Sequence, residues 1–319
     1  MKRRKVLKSL LIVLAVLLIT LLVVPYIVPP AKRQPTLSYV QMLSPAGKTI
    51  SLNDVSIYIE DYSPSGQVKG TLVMVHGLGG STYSWRKNIS FFVITGYRVV
   101  SVDLKGFGLS SKERIYSYYH DTQAHVLAQV THYLEIEKAI FIGHSMGASV
   151  LLHLVHQEPQ MVEALVLVDG AASFSQGFPF SRLLNFDPFR RAFQDIISRW
   201  LSRDRLVEIL QSAYYQPDKL LDIDLDNYYS RVVYGNWLDS LTAMTRDSNE
   251  NNIDFTLANE VKTLVIWGAK DTWVGRDVSE QLADFTDGQL KIIPDAGHLS
   301  MEEVPDAFNQ LVLVFLSNP

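Results

Sequence analysis

Six short apolar runs, each four to six residues long, punctuate the chain from residue 70 onward. They are Thr71–Val75, Tyr97–Val102, Ala139–Ile142, Ala164–Val168, Thr263–Trp267 and Gln289–Ile293. Helical spacing between and after them predicts helices over His120–Leu134, Ser145–Gln157, Asp277–Phe285 and Pro305–Leu316. Strands rich in Val and Ile without polar alternation are buried on both faces. Alternation of such strands with helices folds into a mostly parallel β-sheet flanked by helices, an α/β architecture. In that architecture function gathers at the carboxyl ends of the strands. Ahead of the runs, SLNDVSIYIE at Ser51–Glu60 alternates and predicts a strand near a hairpin.

The rhythm breaks once, between Val168 and Thr263. Residues 174–249 are rich in aromatics, Arg and Asp, with helix-like spacing at Phe189, Phe193, Ile196, Ile197 and Trp200. A structureless loop of that length is improbable. The segment is therefore predicted to be a helical cap inserted into a core made of residues 36–173 and 250–319. Tyr214, Tyr215, Tyr228, Tyr229, Tyr234 and Trp237 are candidates for a pocket wall, although packing of the cap's own core is the simpler expectation for any one of them.

Residues 1–35 are different in kind. MKRRKVLK carries five positive charges, and Ser9–Val28 follows without a charged residue. Twenty helical residues rise about 30 Å, the thickness of a bilayer core. The run is long for a signal peptide and ends in no small-x-small cleavage site, so residues 9–28 are expected to be a retained membrane anchor, with cleavage as the alternative. Basic residues before the span place the N-terminus in the cytoplasm and the remainder of the chain outside it, on the periplasmic face in a Gram-negative cell. Pro29–Pro35 reads as a stiff linker.

Charge excludes one class of partner. The net charge is −4, but seven basic residues and no acidic one precede Gln34, so the rest, with 22 basic and 33 acidic residues, is about −11. A body that acidic does not suit nucleic acid. There is no cysteine for a disulfide or a lipid anchor.

The strand ends carry the chemistry. Thr71–Val75 leads to His76-Gly77-Leu78-Gly79-Gly80, Tyr97–Val102 to Asp103 and DLKGFGLS, and Ala139–Ile142 to Gly143-His144-Ser145-Met146-Gly147. Ala164–Val168 leads to Asp169-Gly170, Thr263–Trp267 to Gly268-Ala269-Lys270-Asp271, and the last run to Gly297-His298. A parallel sheet thus brings a hydroxyl, a carboxylate and an imidazole to one edge. G-x-S-x-G between strand and helix is a sharp turn that exposes the serine, with glycines where side chains would collide. A helix N-cap after a strand is the competing explanation of Ser145.

Taken in order, HGLGG, DLKGFGLS, GHSMG, WGAKD and GH resemble the α/β-hydrolase fold superfamily over residues 50–319, specifically its esterase/lipase-like serine hydrolases with a helical cap. The plan of anchor, core and cap is also similar to membrane-bound monoacylglycerol lipases. The resemblance implies Ser145 as nucleophile, His298 as general base and Asp271 as the acid that orients it. It implies an oxyanion hole made by the backbone N–H groups of Leu78 and Met146, supported by His76, Gly77, Gly143 and Gly147. The chemistry so implied is acyl-ester hydrolysis through an acyl-enzyme, without a cofactor or a metal, on a small acyl ester or lipid-like substrate. Two oxyanion donors of this kind contribute roughly 3–4 kcal/mol each in a well-studied protease.

Several alternatives stand beside these assignments. Asp169 also ends a strand and could supply the acid in place of Asp271. His144 is expected to shape the turn, His76 to be a structural loop residue, and Asp103 with Gly106 and Gly108 to form a supporting turn. Ala148 stands where many relatives have glycine, and Trp273-Val274-Gly275 where relatives often carry proline. Asn88-Ile89-Ser90 is a formal glycosylation sequon. HGLGG lacks the Lys-Ser/Thr of a phosphate-binding loop. The same triad also serves carbon–carbon bond hydrolysis, lactone opening and cofactor-free perhydrolysis, and the fold can serve as a non-catalytic binding module. The sequence leaves oligomeric state open.

Overall fold

The computed structural model describes residues 2–53, 55–170, 180–248 and 259–317. Eight strands form one sheet: β1 Gly47–Leu52, β2 Val55–Tyr62, β3 Thr71–Val75, β4 Arg98–Val102, β5 Ala139–His144, β6 Val162–Val168, β7 Thr263–Gly268 and β8 Gln289–Ile293. Their order is β1-β2-β4-β3-β5-β6-β7-β8, antiparallel through β1, β2 and β4 and parallel from β4 to β8. The mostly parallel sheet expected from the apolar runs is present. One detail differs. SLNDVSIYIE is the tail of β1, a turn at Asn53 with φ of 49°, and most of β2. The short alternating run reads as one strand because the turn interrupts it for only two residues.

Period-two burial explains why these runs carry no polar alternation. On β3, Val73 and Val75 enter one core while Leu72 and Met74 enter the other. Phe141 opposes Ile140 and Ile142 on β5 in the same way, and Leu165 and Leu167 oppose Ala164, Val166 and Val168 on β6. Successive side chains point to opposite faces, and on these three strands both faces are covered, so the positions named are apolar; β8, at the sheet edge, is mostly exposed and carries Gln289 and Lys291.

The helices, in chain order, are α1 Lys2–Ile27, α2 Tyr39–Met42, α3 Ile89–Ile94, α4 His120–Tyr133, α5 Met146–Gln157, α6 Asp187–Trp200, α7 Arg203–Ala213, α8 Asp222–Val232, α9 Trp237–Arg246, α10 Arg276–Thr286, α11 Ser300–Glu303 and α12 Pro305–Ser317. Side chains of α4, α5 and α10 fill the first core, and those of α3 and α12 fill the second. Helices α6–α9 and the short turn Ser181–Asn185 lie between β6 and β7 in sequence. They have an apolar cluster of their own, including Leu206, Leu210, Leu225, Tyr228, Tyr229 and Trp237. Tyr214 instead joins the second core, and Tyr234 stacks on Tyr39. Of the aromatics noted in the sequence, most therefore pack interiors.

A buried polar cluster fastens these helices to the sheet domain. Arg86, after β3, pairs with Asp224 of α8 at 2.9 Å and with Glu302 of α11 at 2.5 Å. The Tyr214 hydroxyl donates to Glu302 at 2.8 Å, Tyr228 donates to it as well, and Tyr83 donates to Asp224. Glu303 accepts from the N–H groups of Tyr215, Gln216 and Gly297. Arg86 offsets the charges of Asp224 and Glu302, and three backbone N–H groups hold the Glu303 carboxylate, which makes the cluster tolerable in a low-dielectric interior.

Asn88 is wholly buried, and its Nδ2 donates to Met301 O and Asn309 Oδ1. That corrects the sequon: in the folded chain this amide is not open to a glycosyl donor. Among the described residues, one helix is long and apolar enough to cross a membrane, within Arg4–Ile27. Its apolar side chains are mostly exposed.

Candidate active site

β5 ends at His144, and α5 begins at Met146. Between them Ser145 adopts φ 51° and ψ −117°. A positive φ costs a residue with a Cβ on the order of 1–3 kcal/mol, so the surroundings must impose it. They do so by close packing. A Cβ on Gly147 would lie 2.6 Å from the Val75 carbonyl oxygen, and one on Gly143 would lie 2.7 Å from the Gly147 carbonyl. Only glycine lets the helix come this near the strands. Ala148, the departure noted in the sequence, fits because residue 170 is glycine: a Cβ there would lie 2.4 Å from the Ala148 methyl.

The Ser145 hydroxyl makes no capping bond to its helix. It points to His298, whose Nε2 accepts it at 3.1 Å, while His298 Nδ1 donates to Asp271 Oδ2 at 2.8 Å. Asp271 Oδ1 in turn accepts from the N–H groups of Trp273 and Val274. The structure therefore brings together the three side chains that the strand ends suggested. The imidazole is fixed in one tautomer, with its acceptor nitrogen on the serine, an arrangement able to take the hydroxyl proton as the oxygen attacks a carbonyl. The His298 ring is also stacked on Trp273, with centroids 5.0 Å apart, and the residue's backbone N–H donates to Ala213 O at the end of α7.

Leu78 and Met146 both border the cavity beside Ser145. Among the described residues neither backbone N–H has an acceptor. Gly77 is held between His144 and Ser145, since a Cβ there would lie 2.7 Å from His144 Nδ1 and 2.9 Å from Ser145 Cβ. His76 is buried and braces the loop: Nδ1 donates to Gly77 O and Nε2 accepts from Leu104 N–H. Burial pushes its pKa down to about 4, so it stays neutral there.

His144 does not meet the serine hydroxyl. Its Nε2 donates to the His298 carbonyl at 2.8 Å, and burial, then His298, hold its pKa well below the usual value. Asp103 accepts from Thr82 and Leu109 N–H groups, in the turn whose Gly106 and Gly108 have φ of 87° and 50°. Asp169 is not the partner of either His298 ring nitrogen. It accepts from Gly268 N–H at 2.7 Å and from Ser300 Oγ at 2.6 Å, joining the loops that carry Asp271 and His298. Burial pushes its carboxyl up to about 7, with His298 opposing the rise and Asp271 adding to it. Sequence reading weighed Asp169 only as a rival acid and missed Ser300, Glu302 and Glu303. The acidic pair directly after the histidine loop was the available signal.

Above the serine lies a cavity of about 480 Å³. α7 contributes Leu206, Ile209 and Leu210 to it, α9 contributes Leu241 and Met244, and the loop after Asp271 contributes Trp273 and Val274. Its polar groups are the site itself, Ser84, Tyr228 and Thr245, and a patch formed by Tyr118, His120, Gln123, Asp247 and Ser248. Among the described residues no Lys or Arg lines it.

Residues 70–305 match the sequence profile of the alpha/beta hydrolase fold family. The chain belongs to that family. It is a hydrolase. Relatives include an uncharacterized hydrolase, YugF, of Bacillus subtilis, 27% identical over 84% of this chain and 97% of its own. A 2-hydroxy-6-oxononadienedioate/2-hydroxy-6-oxononatrienedioate hydrolase of Escherichia coli is 30% identical over 86% of this chain and 93% of its own. Among solved structures, a membrane phospholipase A described as a bacterial virulence factor matches with a TM-score of 0.69 at 22% identity, over 99% of this chain and 98% of its own. At that identity the likeness is one of fold.

Proposed function

We propose that this alpha/beta hydrolase is a membrane-anchored serine esterase acting on uncharged, apolar acyl esters. Ser145 attacks the acyl carbonyl as His298 takes its proton, with Asp271 stabilising the imidazolium. The Leu78 and Met146 N–H groups receive the oxyanion. His298 then protonates the leaving alcohol, and water releases the acyl group from Ser145. α1 holds the catalytic body at the bilayer.

The observation that carries the ester reading is the cavity's chemistry. Its walls are mainly Leu, Ile, Met and Trp, and among the described residues no Lys or Arg lines it. A second reading, carbon–carbon bond hydrolysis, is favoured by the Escherichia coli relative. That relative's named substrates are dicarboxylates, however, and a carboxylate buried without a Lys or Arg to pair with is costly.

A fluorophosphonate probe and a substrate panel test the proposal together. Wild type should be labelled and Ser145→Ala should not. p-Nitrophenyl esters of medium chain length should turn over faster than the acetate, and faster than a dienedioate. A folded wild type that resists the probe, or one that prefers the dienedioate, sinks the ester reading.

A further inference from the structure

Helix α1 does not stand apart from the catalytic body. It packs along α6. The Tyr26 hydroxyl donates to the Asp187 carboxylate at 3.0 Å, and the Arg191 guanidinium lies 4.6 Å from the Tyr26 ring centroid. Past the helix, the chain continues along α6 in the same sense. Ala31 N–H donates to Ser198 Oγ, and Arg33 donates to the carbonyls of Ser198 and Arg199. The first turn of α6 is therefore level with the end of the apolar span, and its last turn lies farther from it.

Just before that first turn, Phe180, Leu183 and Phe186 are 79%, 38% and 61% exposed. Arg182 lies among them, and Arg190 and Arg191 follow one turn later. Large apolar side chains with arginines beside them, at the depth of an interfacial tyrosine, have the composition of a segment seated at the headgroup–acyl boundary. Asp187 pairs with Arg190 and Arg191, yet the stretch stays net positive, in contrast with a body whose net charge is about −11.

We propose that Phe180–Phe186 sits in the bilayer that α1 crosses, in the leaflet facing the catalytic body. This rests on the anchor reading above. The surface is continuous with α1, so its occupant is the same lipid phase. The segment also adjoins the cavity: the turn Ser181–Asn185 packs on α9, which supplies Leu241 and Met244 to the cavity wall. An apolar acyl substrate accordingly enters from lipid past this segment.

The chain has no cysteine, so Phe186→Cys in the full-length protein takes a single nitrobenzoxadiazole label. The reference is Ile94→Cys, 84% exposed on α3. Both are reconstituted into phosphatidylcholine–phosphatidylglycerol vesicles, with and without lipid carrying a doxyl group near the headgroup. The label at 186 should shift to the blue and lose roughly half its emission to the shallow doxyl group, and the label at 94 should do neither. Vesicle flotation separates the two readings. Protein that floats with an unquenched 186 label keeps the anchor and overturns the seat; protein that does not float overturns both. Cross-linking of two copies through the thiol introduced at position 186, without quenching, assigns the surface to a second copy and also overturns the proposal. A Phe180→Asp/Phe186→Asp variant should lose about tenfold on a long-chain ester embedded in vesicles and nothing on soluble p-nitrophenyl acetate. Equal loss on both substrates marks a folding defect and counts against the proposal.

Discussion

Arg86 and Glu302 form an ion pair at 2.5 Å in which the carboxylate side chain has no solvent exposure and the guanidinium side chain 17%. The pair bridges the loop after β3 to the helix that follows His298, and through Asp224 and Tyr228 it reaches α8. Removing one partner strands the other. Glu302→Ala leaves Arg86 and the hydroxyls of Tyr214 and Tyr228 short of an acceptor, and should cost about 3–5 kcal/mol. Denaturant unfolding followed by circular dichroism measures the loss, and Glu302→Gln should lose less because it still accepts.

Ser145 offers a cleaner separation of chemistry from stability. Ser145→Ala should cut ester turnover by about 10⁴-fold or more while leaving unfolding nearly unchanged. Ser145→Gly should be equally inactive. Because glycine adopts φ 51° without strain, it should unfold about 1 kcal/mol later than the alanine variant in the same titration.

The elbow tolerates no added carbon. Gly147→Ala drives a methyl to within 2.6 Å of the Val75 carbonyl, part of a central strand paired on both sides. Neither the strand nor the helix start can yield cheaply. A loss of about 1–3 kcal/mol is expected, along with lower turnover as Ser145 is displaced. Thermal unfolding and p-nitrophenyl ester kinetics on the same sample would show both effects.

Asp169 makes stability depend on pH. Its carboxyl titrates near 7 when folded, against about 3.9 in an unfolded chain. Between those values the native state retains a proton that the unfolded state has released. Stability therefore falls as pH rises from about 4 to 7, by up to about 1.4 kcal/mol per unit, and levels off above. Asp169→Asn should flatten that contribution, which denaturant midpoints at several pH values would reveal. A slope unchanged in the variant would assign the titration to another group.

The parallel sheet was legible because burial on both faces of a strand forces a signature into a few consecutive residues. The serine elbow was legible because its glycines stand at fixed spacing around Ser145, although what demands glycine at 147 is the Val75 carbonyl on another strand. Asp271 and His298 became visible only once each was placed at a strand end, since topology makes neighbours of residues far apart in sequence. What escaped notice depends on contacts no local pattern encodes. Glu302 looks like a helix-start acid until Arg86, Tyr214 and Tyr228 meet it, and Asp169 looks like a catalytic candidate until Ser300 and Gly268 occupy it. The turn at Asn53 was hidden inside a run whose alternation survives the reversal.

The linker Ala31–Leu37 binds α6 and α8 through Ser198, Asp226 and Ser230. For anyone preparing a water-soluble fragment, the position of the cut therefore matters. Trimming at residue 28 keeps these bonds. Trimming at residue 38, which looks equally harmless in the sequence, strips a strap from α6 and α8. The shorter fragment could report a substrate preference that the intact enzyme does not have.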